Sequence, residues 1–207
     1  EINFGTRVTG MIAASSSLMI FGESRIAYLT GTDNDTFDLN DITTSSGAKG
    51  STAVMADQPI YLDDRGARKL STTASFGDWA MGTLTDLAAP LFTAKVLSDI
   101  TALDAFVVKK KNQYRVFFND MTAISVYLGR KYPEVTSSTY PVNFRCVVSG
   151  ENSGGDEVLY GGTDDGMVYQ IDAGTSFDGE EIDAWMVPHF ASPNGNSSNK
   201  TWKGCAV

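Results

Sequence analysis

Asp33, Asp35, Asp38 and Asp41 lie close together in the segment GTDNDTFDLNDITTSSGAKG (31–50). Four carboxylates so placed are the chain's best candidate for holding a cation, because Ca²⁺ takes several carboxylate and carbonyl oxygens. The spacing is not that of an EF-hand loop, which needs Gly at its sixth position and Glu at its twelfth. The expectation is therefore a solvated acidic loop, the common fate of a charge run. His189, in MVPHFASP, is the only histidine. Any Ser-His-Asp or Cys-His arrangement has to use it, and no GxSxG nucleophile elbow occurs. One histidine and two cysteines, Cys146 and Cys205, are too few for His/Cys zinc sites or a disulfide framework. Cys146 sits in the apolar run FRCVV and reads as a buried structural thiol. No carboxylate pair is marked out for glycoside chemistry. The sialidase Asp-box SxDxGxTW has only a loose echo in GTSFDGEEIDAW (174–185), and there is no glycine-rich phosphate loop. Asp164-Asp165-Gly166 is better explained by turn formation than by catalysis. The residues thus point to no catalytic, cofactor-binding or metal-binding set, and to a protein that is not an enzyme.

The balance of 25 acidic against 16 basic residues gives a net charge of −9, which disfavours adhesion to nucleic acid. The longest basic run, Lys109-Lys110-Lys111, reads as a solvated hairpin tip rather than a phosphate-binding patch. No apolar run approaches the roughly 18 to 20 residues of a membrane span. No signal peptide is visible. The chain begins mid-pattern at Glu1-Ile2-Asn3-Phe4 without Met, as an excised fragment or processed product would.

The elements that would carry these residues recur. The run VTGMIAA (8–14), SLMIFG (17–22), RIAYLTG (25–31) is followed by STAVMA (51–56), QPIYLD (58–63), ARKLST (67–72). Then come AFVVKK (105–110), QYRVFF (113–118), AISVYL (123–128), and last FRCVVSG (144–150), EVLYGG (157–162), MVYQID (167–172). Each copy is strand, short link, apolar strand, polar turn, strand, and the turns use Asp, Asn or Gly, which tolerate positive φ. The second-to-third-strand turns recur every 40 to 55 residues or so, the period of a β-propeller blade. A β-sandwich of successive hairpins is the competing architecture. The expected fold is mainly β: a β-propeller-like arrangement of about four blade units, whole or part of a larger propeller, with one short inserted helix.

That helix is expected within about 79–97. In WAMGTLTDLAAPLF (79–92), Leu84, Leu87, Ala88, Leu91 and Phe92 fall on one helical face. Thr83 and Asp86 resemble a capping box, and Pro90 argues for a kink or an early stop. Segments 31–50 and 192–200 read as loops. Residues 1–207 are expected to form one propeller-like domain or fragment, with 190–207 a loop and the start of a further strand.

The succession SSSLMIFGESRIAYLTG, TFDLNDITTSSGAKGSTAVMADQPIYLDDRGARKL, TLTDLAAPLF, KNQYRVFFND and EVLYGGTDDGMVYQIDAGTSFDGEEI resembles the tail nozzle proteins of short-tailed bacteriophages. These are also called tail tubular or packaged-DNA-stabilising proteins, and the resemblance covers roughly residues 8 to 187. It implies a propeller-containing subunit of a hexameric ring in the full-length protein, below the portal and its adaptor in the phage tail. The ring continues the channel for genome ejection, with DNA passing through without sequence-specific binding, and is assembled in the host cytoplasm. The family's proteins are longer than this chain, and their chemistry is structural, without a cofactor. Two other functions compete with it. One is a propeller binding module that recognises a glycan or protein through its loops, with Trp79, Trp185 and Trp202 stacking on sugars. The other is a carboxylate-based hydrolase on the same fold.

Overall fold

The computed structural model describes residues 3–14, 17–33, 35–55, 58–71, 83–129 and 133–184. They form five small antiparallel sheets and one α-helix, so the fold is mainly β. Residues 1–172 make one compact unit and 173–207 a second.

In the first unit, β1 (Val8–Ala14), β2 (Ser17–Gly22), β3 (Ile26–Thr30) and β4 (Asp38–Thr43) form the first sheet. The second holds β5 (Thr52–Met55), β6 (Gln58–Leu62) and β7 (Ala67–Lys69). The third holds β8 (Ala102–Val108), β9 (Gln113–Phe118), β10 (Thr122–Tyr127) and β11 (Glu134–Thr139). The fourth holds β12 (Phe144–Glu151), β13 (Glu157–Thr163) and β14 (Val168–Ile171). Every sheet is a meander whose strands pair in sequence order. In the second unit, β15 (Ser176–Phe177) and β16 (Glu180–Glu181) make a hairpin turned by Asp178 and Gly179, both at positive φ.

The four sheets of the first unit stack face to face in chain order, and strand alternation explains how. On β6, Tyr61 meets Phe21 of the first sheet with ring centroids 5.5 Å apart, while Ile60 and Leu62 turn to the third. On β9, all six residues are buried. Tyr114, Val116 and Phe118 face the second sheet, whereas Phe117 faces the fourth and packs edge-on against Phe144. A strand buried on both sides loses the apolar-polar alternation, which is why QYRVFF and QPIYL read as continuous runs. Successive sheets approach most closely along their first strands: β1 lies by β5, β5 by β8, and β8 by β12. The last of these contacts is fixed by Asp104, whose carboxylate accepts from the Val147 amide at 2.8 Å.

The strand triplets expected from sequence are all present, with three differences. β4 lies inside the segment expected to be a loop, and β11 follows a third strand that was expected to close its unit. Lys109–Lys111 form a 3-10 turn that ends β8 at Val108. The third difference concerns the helix. It runs Ala89–Leu97 (α1), after a 3-10 turn at Asp86–Ala88, so Pro90 starts it instead of stopping it. Proline is at home in the first helical turn because its missing N–H has no intrahelical partner there. The expected Thr83–Asp86 box does not form. The neighbouring Thr85 hydroxyl instead accepts from the Ala67 amide at 3.1 Å, and α1 buries Phe92 and Lys95. Residues 79–82 and 190–207, with the expected loop and further strand, lie outside the described residues.

Candidate functional site

The acidic segment resolves into local ties. The Asp33 carboxylate accepts from the Asp35 amide at 3.1 Å, and from the Thr36 amide and hydroxyl at 2.9 and 2.8 Å. The Thr36 hydroxyl bond is the main cause that holds its pKa below the ordinary value. Asp38 and Asp41 sit on β4, where Asp38 accepts from the Asn40 amide group and Asp41 from Arg25. Among the described residues no three His, Cys, Asp or Glu side chains converge as a metal site would require.

The pair Asp164-Asp165 serves the β13–β14 turn. Asp165 accepts from the Thr163 hydroxyl and from the Met167 amide, and Gly166 adopts φ +82°, which favours glycine. Asp164 accepts from Arg145 at 2.6 Å. The lysine run is the hairpin tip between β8 and β9, and it is tied to acidic partners. The Lys109 and Lys110 amides donate to Glu157 at 2.7 and 3.0 Å, and the Lys111 ammonium donates to Asp172 at 2.7 Å. Burial works against the Glu157 charge, but these two amides, the Ser149 hydroxyl and the Lys109 charge together outweigh it and hold the carboxyl below its usual range.

Cys146 is exposed, contrary to the expectation of a buried thiol. A register shift between Phe144 and Cys146 lets Phe144 point into the stack while Cys146, opposite Gly162, shares the outward face with Val148. Apolar neighbours in sequence do not bury a strand residue when its face is the outer one. His189, Trp79, Trp185, Trp202 and Cys205 lie outside the described residues.

The densest polar arrangement was not visible in sequence. Arg115, in the middle of β9, projects between the third and fourth sheets. It grips Asp172 through two bonds of 2.8 Å, and donates to Tyr140 at 3.1 Å and Gln113 at 3.0 Å. Desolvation opposes the charge on Asp172, yet the bonds from Arg115 and Lys111 win and hold its pKa at about 2. A paired, planar guanidinium between sheets is a positional lock, because bidentate bonds fix orientation as well as distance. The guanidinium lies 5.6 Å from the centroid of the Phe106 ring, and Phe106, Phe117, Tyr140, Phe144 and Tyr169 form a chain of ring pairs at 5.3 to 6.1 Å. Elsewhere, Lys95 of α1 donates to Asp120 at 2.8 Å and Thr122 at 2.6 Å, and Arg68 pairs with Asp63 in full burial. A cavity of about 550 Å³ lies beside α1, lined in part by Asp63, Phe92, Lys95 and Phe118. Its two buried charges already hold partners within the fold. What these groups accomplish is the joining of sheets, turns and helix.

No family model and no curated protein sequence matches the chain. No described helix is long and apolar enough to cross a membrane, which leaves β-barrel insertion untouched. The signal that could have exposed the sheet-joining site is a single charge inside an apolar strand. Arg115 in QYRVFF demands a buried counter-charge somewhere in the fold.

Proposed function

We propose that this chain is a structural propeller segment, an arc of four consecutive blades, in the tail nozzle of a short-tailed bacteriophage. The observation that carries the reading is the fan of four meander sheets, stacked in chain order and closest along their first strands. In a propeller the first strand of each blade is innermost, and no blade can cover both of its faces alone. Propeller architecture does not select a function. The tail assignment draws on the sequence resemblance across residues 8 to 187. It also draws on the way charged groups are used, since the paired carboxylates and cations described above act as braces within the stack.

In this reading the protein belongs to the virion and assembles in the host cytoplasm. It forms a homo-oligomeric ring, hexameric in the full-length protein, that adjoins portal-adaptor or other tail proteins. DNA passes through without sequence-specific contacts. A net charge of −9 and a lysine run held by Glu157 and Asp172 favour a wall along which phosphates slide. The test is electron microscopy of the full reading frame expressed under tail-assembly conditions. Rings with a central channel are expected, and particles that remain monomeric would overturn the assignment.

A further inference from the structure

Two Asp-Gly dipeptides occur in the chain, Asp165-Gly166 and Asp178-Gly179, and each turns a hairpin. Glycine has no side chain to shield its nitrogen, so in both the peptide nitrogen can approach the preceding carboxyl carbon. The fold treats the two dipeptides differently. The Asp165 carboxylate is taken by the Thr163 hydroxyl and, at 3.3 Å, by the Met167 amide. The Thr163 bond is the main cause that holds its pKa below the ordinary value. The Gly166 amide donates to the Thr163 carbonyl at 3.2 Å, and the Thr163 amide closes the turn on the Met167 carbonyl at 3.0 Å. On either side, β13 and β14 are joined through four residue pairs. Asp178 and Gly179 are exposed and stand at φ +50° and +88°. Among the described residues neither the Asp178 carboxylate nor the Gly179 amide has a hydrogen-bond partner. Their hairpin rests on two residue pairs, Ser176 with Glu181 and Phe177 with Glu180. So short a two-stranded hairpin opens easily, which frees the backbone of its turn to rotate.

We propose that Asp178-Gly179 is a site of spontaneous backbone modification, converting to isoaspartate through a cyclic imide, while Asp165-Gly166 is protected by its own turn. The Gly179 nitrogen attacks Cγ of the Asp178 carboxyl and forms a C–N bond. One carboxyl oxygen leaves as water, taking the carboxyl proton and the amide hydrogen with it. Water then opens the succinimide ring at either carbonyl. Addition at Cγ restores aspartate. Addition at the main-chain carbonyl breaks its C–N bond, and the chain then runs through Cβ and Cγ with the α-carboxylate free. Water is the only co-reactant, and the overall mass is unchanged. Ring closure needs a carboxyl free to take a proton and a turn free to rotate. Asp165, ionised and hydrogen-bonded inside a closed turn, offers neither. The product adds one backbone carbon to the turn between β15 and β16. Turn length fixes hairpin register, so the pairing of Ser176 with Glu181 and Phe177 with Glu180 is lost. The inference uses the two turns alone and holds whether or not the chain belongs to a phage tail.

The test is storage of the 207-residue chain at physiological temperature and neutral pH, followed by peptide mapping with electron-transfer fragmentation, which tells the two linkages apart. Mapping also separates both sites from Asn194-Gly195, which reacts by loss of ammonia and lies outside the described residues. Isoaspartate is expected to accumulate at 178 at least about tenfold faster than at 165. In denaturant the two rates should converge, since both dipeptides present the same nucleophile and the same leaving group. In the folded chain, Thr163→Val should raise the rate at 165, and Gly179→Ala should slow the reaction at 178 several-fold. Equal rates in the folded chain, or no isoaspartate at 178, would overturn the proposal. A gap that persists in denaturant would assign the difference to flanking sequence and overturn the part played by the turns.

Discussion

The seam between the second and third sheets differs in kind from the seam between the third and fourth. The former is built largely from aliphatic and small residues, among them Ala53, Ile60, Leu62, Ala105, Val107, Val116, Ile124 and Val126, with the rings of Tyr114 and Phe118 set among them. Its main polar tie is Tyr114, whose hydroxyl lies 3.1 Å from that of Ser51. The latter is aromatic and ionic, with Phe117 and Phe144 in edge contact and Arg115 gripping Asp172. Both seams use the same strand, β9, through alternate residues. An aliphatic seam is non-directional and accepts small shifts of one sheet over the other. A bidentate ion pair and edge-to-face rings accept one arrangement. The third sheet is thus attached to its predecessor by adhesion and to its successor by recognition.

The largest test of that contrast removes one ring. Phe117→Ala should destabilise the fold by about 4 kcal/mol in urea denaturation, and Val116→Ala, on the opposite face of β9, by about 2 kcal/mol. Equal losses would erase the distinction between the seams.

A smaller effect is expected from the ion pair. Asp172→Asn leaves a buried guanidinium without its counter-charge and should cost about 3 kcal/mol. The same pair sets a pH dependence. The Asp172 pKa falls from an ordinary 3.8 to about 2 on folding, so its stabilising contribution is present above pH 3.8. It is lost as the pH falls from there through about 2, and amounts to roughly 2 kcal/mol. Acid titration of unfolding should show this loss in the parent chain and not in Asp172→Asn.

The smallest expected effect comes from the tight approach at the same seam. A Cβ at Gly161 would run into the Phe144 ring. Gly161→Ala should cost about 1 to 2 kcal/mol, the usual penalty of overpacking, and the loss should shrink when combined with Phe144→Leu. Simple additivity would mean that the ring does not set the spacing.

Most strands were legible because turn chemistry and apolar runs bracket them. SLMIFG, QPIYL and QYRVFF announce themselves, and Asp164-Asp165-Gly166 marks its hairpin. β4 and β11 were not legible, for a common reason. They are the last strands of their sheets, and in DLNDIT and EVTSST no face is buried strongly enough to leave a period-two pattern. The Thr-rich, β-branched composition of β11 was the remaining clue. The helix was legible in place but not in phase, because Pro90 argues in sequence for a kink or an early stop and acts as an initiator. The Arg115–Asp172 lock was hidden by the 57-residue separation of its partners in sequence. Cys146 shows the limit from the other side, since hydropathy alone does not tell which face of a terminal sheet is outermost.

The sequence-ordered meanders also have a consequence for how the molecule is made. Each sheet pairs only chain neighbours, so its hydrogen bonds can close locally and early, at little loop-closure cost. A lone sheet nevertheless leaves both apolar faces wet until the next one arrives. During synthesis the first sheet therefore waits on the second, the second on the third, and the third on the fourth, whose aromatic and ionic seam locks last. Among these four sheets the order of translation becomes the order of assembly, and the final tightening falls to the fourth.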